Sequence, residues 1–173
     1  MDNETNKLPS AEEIAAQLKA EEQTNETPGK EEKKTAKDKA AIKQLIELLG
    51  SHNSEHKDAG LELLKNEKSI DFLLEAIAET EQKSHKAVLI AACWESDLDF
   101  KGHEVFFAEL ALDTDLFVSL EAITVLDTIE NMEVANMKEA LKKLNDKNIS
   151  KHPNEPMLSD LKLTLEEKIN ETP

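Results

Sequence analysis

The sequence predicts an all-α protein, on three observations. Aromatic residues make up only 3%: one Trp, five Phe and no Tyr. A core drawn from Leu, Ile, Val and Ala suits packed helices better than a strand sandwich, which leans on β-branched and aromatic side chains. Four Gly in 173 residues also leave few of the turns that a many-stranded chain needs. From about Ala40 onward, apolar residues recur at i, i+3, i+4 and i+7, the period of one buried helix face.

Residues 1–38 stand apart. They carry ten acids and six Lys, almost no large apolar side chain, and the turn-prone stretch Asn25-Glu26-Thr27-Pro28-Gly29. Such a segment cannot offset its ordering entropy by burial, so it is expected to be a disordered charged tail. Ser10 and Glu13 have capping-box spacing, enough for a transient helix over Ser10 to Lys19. Residues 39–173 are expected to form the helical domain.

Eight helices follow in that domain. Ile42, Leu45, Ile46 and Leu49 mark the first, which Gly50 can end. The second runs from about Ser54 to Asn66, with Ala59, Leu63 and Leu64 inward. Ser69 caps a third, with Ile70, Leu73, Leu74 and Ile77 on its core face. The fourth, about Ser84 to Glu95, is apolar almost all round, as a central helix is. After a loop at Ser96 to Gly102, the fifth turns Phe106, Phe107 and Leu110 inward.

Asp113, Thr114 and Asp115 offer an N-cap for the sixth helix. It has two apolar rows: Val118, Ala122, Val125 and Ile129, and Leu116, Leu120 and Ile123. The seventh carries Val134, Met137, Leu141 and Leu144. Pro156 suits the first turn of the eighth, which holds Leu158, Leu161, Leu165 and Ile169.

The helices repeat. A shift of 33 lays Phe72-Leu73-Leu74 over Val105-Phe106-Phe107, and a shift of 30 lays Val88, Ile90, Ala92 and Asp97 over Val118, Leu120, Ala122 and Asp127. Odd helices thus resemble odd ones and even resemble even, in a two-helix unit of roughly 30 residues. One helical hairpin cannot bury both its faces, whereas a stack can.

Val88 with Ala92, and Val118 with Ala122, resemble the second helix of HEAT or armadillo-type repeats. Leu89 and Ser119 stand where that family often has a basic residue, a departure that removes the basis for a ladder built on it. The stretch from Leu89 to Phe100, with Val118 to Ala122, is also similar to small, uncharacterised bacterial HEAT-like proteins. The resemblance covers about residues 40–145. It implies a right-handed α-α superhelix, a short solenoid of three to four hairpins whose second helices line a concave face.

Charge and chemistry narrow the function. The net charge is −16 and all 21 basic residues are Lys, so phosphate backbones and anionic lipid are poor partners and bidentate guanidinium contacts are unavailable. Neither a nucleic-acid nor a membrane partner is expected. Cys93, the single cysteine, sits in an apolar run and reads as a small buried hydrophobe. No signal-like segment or 18-residue apolar run is present, which makes a cytoplasmic protein the simplest expectation.

His52 and His56, with Glu55 between them, have helical metal-ligand spacing but no second ligand pair. Glu95, Asp97 and Asp99 alternate beside Trp94 without the order of a calcium loop. The recurrence of Asp97 at Asp127 suggests a structural turn. No catalytic residue, metal or cofactor is therefore assigned. What remains is surface: Trp94, Glu95, Phe117, Glu121 and Thr124, with Ala91, would line the groove, and Glu62 would continue the row.

Trp94 is then either a core side chain or the anchor for a basic or amphipathic segment of another protein. The expected function is a non-catalytic adaptor or scaffold with an acidic concave face. A solenoid anchoring a functional tail is the alternative, and a small enzyme or metal-binding protein comes third.

Overall fold

The computed structural model describes residues 41–65 and 69–171; the expectation for residues 1–38 lies outside them. The described residues form eight α-helices and no strand. These are α1 (residues 41–49), α2 (Ser54–Leu64), α3 (Ser69–Glu79), α4 (Lys83–Glu95), α5 (Glu104–Ala111), α6 (Leu116–Thr128), α7 (Val134–Asp146) and α8 (Glu155–Glu171), with a 3₁₀ turn at Ile149–Lys151. The chain divides between Leu63 and Leu64 into two compact units.

In the first unit, α1 ends where the Gly50 amide donates to the Ile46 carbonyl at 2.8 Å. Asn53 then starts α2 by accepting the Glu55 amide on its side-chain oxygen at 3.0 Å. The two helices meet at Gly60. A Cβ there would fall 2.9 Å from Leu49 Cδ2 and 3.3 Å from Leu48 Cβ, so only the absent side chain permits this approach.

In the second unit, consecutive helices pack on each other through α3–α4, α5–α6 and α7–α8. Helices two apart also pack, α4 against α6 and α5 against α7. Polar contacts fix their direction. Lys83 at the start of α4 pairs with Asp113 just before α6, and Trp94 near the end of α4 bonds Glu121 within α6. Two contacts in that order make α4 and α6 parallel. Glu104 with Asn136 (2.9 Å) and Glu109 with Lys143 (2.6 Å) do the same for α5 and α7.

The start of α8 is tied back as well. Asn154 Nδ2 donates to the Asp113 carbonyl at 3.1 Å, and His152 Nε2 lies 3.0 Å from the Leu112 carbonyl oxygen. At the far ends of α6 and α8, Lys168 acts on the Asp127 carboxylate. Helices α4, α6 and α8 therefore run in the same sense.

The core uses the predicted faces. Leu73 and Ile77 of α3, Leu89 and Ile90 of α4, Val118 and Val125 of α6, Met137 and Leu144 of α7, and Leu158 and Leu165 of α8 are all buried. Phe107 of α5 is the largest side chain among them, and its ring meets Phe100 and Phe106 edge-on at 5.5 and 5.4 Å. Buried Ala76, Ala92, Ala108, Ala122 and Ala140 keep the helices close. Ser119, also fully buried, donates its hydroxyl to the Ala111 carbonyl at 2.7 Å and so closes the end of α5 against α6.

The repeat has one odd member. Glu104, Phe107 and Ala111 of α5 are buried, as are Met137, Ala140 and Leu144 thirty-three residues later. Glu104 thus puts a carboxyl where α7 has Met137. Its Oε2 accepts from Asn136 Nδ2, and its Oε1 has no hydrogen-bond partner among the described residues.

Of the two apolar rows of the sixth helix, Leu116 and Leu120 of the second are exposed, at 51% and 42%. The Val118, Ala122, Val125 row already fills the interior, leaving no second neighbour for the other. Asp97 does sit at a turn, with φ of 57°, but the residue sharing that left-handed conformation is Asn131 (φ 51°). Asp127 lies inside α6. Asn and Asp tolerate this region because their short side chains bond locally.

Candidate partner-binding surface on α4 and α6

The surface forms from what the core does not take. Helix α4 commits Ala87, Leu89, Ile90, Ala92 and Cys93 to the interior, and Trp94 is left 37% exposed, so it is not a core side chain. Helix α6 commits Val118, Ser119, Ala122, Val125 and Leu126, and leaves Phe117 63% exposed. The start of α6 sets this phase. Asp115 caps it, its Oδ1 accepting the amides of Phe117 at 3.0 Å and Val118 at 3.1 Å.

Asp115 is itself held, through its amide, by Asp113 Oδ1 at 3.0 Å. Burial alone would raise the Asp113 carboxyl, but the Lys83 hydrogen bond, the Asp115 amide and the charges of Lys83 and Lys86 hold it below the usual carboxylate range. The loop before α6 is thereby anchored to α4.

Trp94 and Glu121 come together directly: the indole N–H donates to Glu121 Oε2 at 2.8 Å. Phe117 lies one turn before Glu121 on α6, and Thr124 about one turn after it. Thr124 is half-buried, and its hydroxyl donates back to the Leu120 carbonyl at 3.0 Å. Glu95 and Ala91 are half-buried on α4. Glu62 is exposed on α2, within the first unit.

The predicted residues omit Leu116 and Leu120. Together with Phe117 they occupy one turn of α6, and the Trp94–Glu121 bond joins Trp94 to that turn. Among the described residues, these four are joined by only one other exposed large hydrophobic side chain, Leu163 on α8. The signal in the sequence was the surplus: two apolar rows on a helix that needs only one.

Elsewhere the polar groups serve structure. Cys93 is buried, with its thiol against the Leu89 carbonyl at 3.5 Å, and burial pushes its pKa far up, away from reactivity. His52 is exposed, while His56 Nδ1 lies 3.3 Å from Ser51 Oγ. Among the described residues no group of three or more His, Cys, Asp or Glu converges on a point. None of their helices is long and apolar enough to cross a membrane. A shallow depression at the end of α7, lined by Asp146, Lys147, Asn148 and Lys162 among others, joins no nucleophile to a base.

The chain matches no protein-family model, no curated protein and no solved structure.

Proposed function

We propose that this protein is a non-catalytic protein-binding module, an adaptor or scaffold that engages another protein through the exposed face of α4 and α6. The observation that carries this reading is the exposed Trp94, Leu116, Phe117 and Leu120 on a chain of net charge −16. A chain rich in acids has ample polar side chains to cover one helix turn. Leaving Phe117 and two leucines there instead, with Trp94 of α4 beside them, is the pattern of a binding anchor.

The same reading takes the helical array as a short right-handed solenoid of HEAT-like hairpins. Parallel packing of helices two apart, and the thirty-three-residue recurrence of buried positions between α5 and α7, support it. In such a stack the even helices would form the concave face, a fold-level analogy.

A photoreactive residue placed at position 117 in living cells tests the proposal. It should crosslink to the same protein as one at position 94, whereas one at exposed Lys142 on α7 should not. Adducts from position 142 alone would move the interface to the odd helices. Adducts from none of the three would remove the binding reading.

A further inference from the structure

We infer that the α6 turn Leu116–Phe117–Leu120, with the Trp94–Glu121 pair at its edge, takes a basic amphipathic helix: its apolar stripe lies on Phe117 and Leu120, and a Lys or Arg about one turn along meets Glu121. This rests on the protein-binding reading and specifies the partner's chemistry.

The spacing comes from α6 itself. Phe117 and Glu121 are four residues apart, about 6 Å along the axis. An apolar and a basic residue at i and i+4 of a partner helix have the same separation. Trp94 widens the apolar floor toward α4, and its bond to Glu121 Oε2 holds the carboxylate beside the indole. A carboxylate accepts more than one hydrogen bond, so the group that receives the indole N–H can also receive an ammonium or guanidinium. A cation placed there lies beside an aromatic ring as well.

Charge selects among occupants. Acids adjoin the apolar residues in sequence: Asp115 before Leu116, Glu121 after Leu120, and Glu95 after Trp94. At the start of α6, Lys83 is bonded to Asp113 and Lys86 also acts on that carboxylate, so the cations there meet an acid of the chain itself. A second copy would bring another −16 to the contact. Residues 1–38, with ten acids to six Lys, have the same sign as the surface. A basic partner is the complementary one.

The test uses the full chain and Trp94 emission, which is free of other indoles and of tyrosine. The probe is an 18-residue leucine–lysine peptide of helical period. One control replaces its lysines by glutamate, and a second replaces its leucines by serine. Expected are binding of the first peptide alone, a shift in Trp94 emission, and weakening by added salt. Phe117→Ser and Leu120→Ser should each weaken binding about tenfold or more, and Glu121→Gln by a smaller factor that shrinks at high salt. Both α6 residues are exposed, so unchanged melting of the variants verifies that they are folded.

Equal binding of the leucine–glutamate peptide would overturn the charge argument. Undiminished binding to Phe117→Ser would place the peptide elsewhere. Self-association of the wild type, abolished by Phe117→Ser, would assign the surface to a second copy. If the leucine–lysine peptide fails while crosslinks through position 117 persist in cells, the partner chemistry is wrong and the binding module stands. Loss of both removes the module as well.

Discussion

At the scale of single residues, Glu104 and Trp94 invert the usual order. A carboxyl is fully buried with one oxygen unpartnered among the described residues, while the only indole is partly in water. Desolvating a carboxyl costs free energy that a single bond to Asn136 does not fully return. The equivalent position in α7 is Met137, so an apolar side chain belongs in this environment. Glu104→Leu should therefore stabilise the fold, by about 1 kcal/mol. Glu104→Gln, which keeps an acceptor for Asn136, should change little. Urea unfolding of the three proteins checks this, and a clear loss of stability in Glu104→Leu would mean that the carboxyl has a partner it needs. For Trp94, emission should be red-shifted and quenched by acrylamide. Glu121→Ala should move the emission while leaving stability within about 0.5 kcal/mol, because the bond is at the surface. Blue emission that resists quenching would return Trp94 to the core.

At the scale of elements, the legible features were those with local causes. The eight helices, the cap at Asp115 and Pro156 in the first turn of α8 all follow from side chains acting on their own backbone. Features set by distant neighbours were not legible. Leu116 and Leu120 have the spacing of a buried row, but no element among the described residues buries them. Glu104 resembles an ordinary acid in a helix's first turn, where the dipole favours it, and its burial depends on packing against α7. The candidate surface was half legible. Trp94, Phe117 and Glu121 fall together on α4 and α6, Thr124 turns its hydroxyl back to its own helix, and Glu62 belongs to the other unit. The cap offers a test at this scale. Asp115→Ala frees the amides of Phe117 and Val118, and should cost about 1 kcal/mol in chemical denaturation. Asp115→Ser should recover most of that loss. Equal stability of Asp115→Ala and wild type would show that water caps α6 as well as the aspartate does.

For the whole molecule, the acid excess makes pH the informative variable, and two aspartates toward the ends of α6 respond in opposite senses. Asp113, before its start, is desolvated, yet the bond to Lys83 and the other favourable contacts hold its carboxyl below the ordinary range. A depressed acid contributes stability that is present above its unfolded pKa, about 4, and is lost as pH falls through the lower folded value. Asp127, near the other end, keeps an exposed side chain, yet partial desolvation of its carboxyl raises it, which Lys168 only partly offsets. A raised acid acts in reverse: the fold tolerates its charge less well than the unfolded chain does, and stability falls as pH climbs from about 4 through the raised value. Asp113→Asn should therefore lower the melting temperature at pH 7, by the equivalent of about 1 kcal/mol or less for a pair open to solvent on the lysine side, and the deficit should close below about pH 4. Asp127→Asn should raise the melting temperature at pH 7, with the gain vanishing toward about pH 4. The two aspartates lie toward opposite ends of α6, whose 13 residues span about 20 Å, so their effects should add in the double variant. Melting curves between pH 3 and 8 at two salt concentrations decide the matter. A loss of stability in Asp127→Asn at neutral pH would show that its pairing with Lys168 outweighs its desolvation. An Asp113→Asn deficit that persists undiminished at pH 3 would show that Asp113 acts through its hydrogen bonds to the loop rather than through its charge.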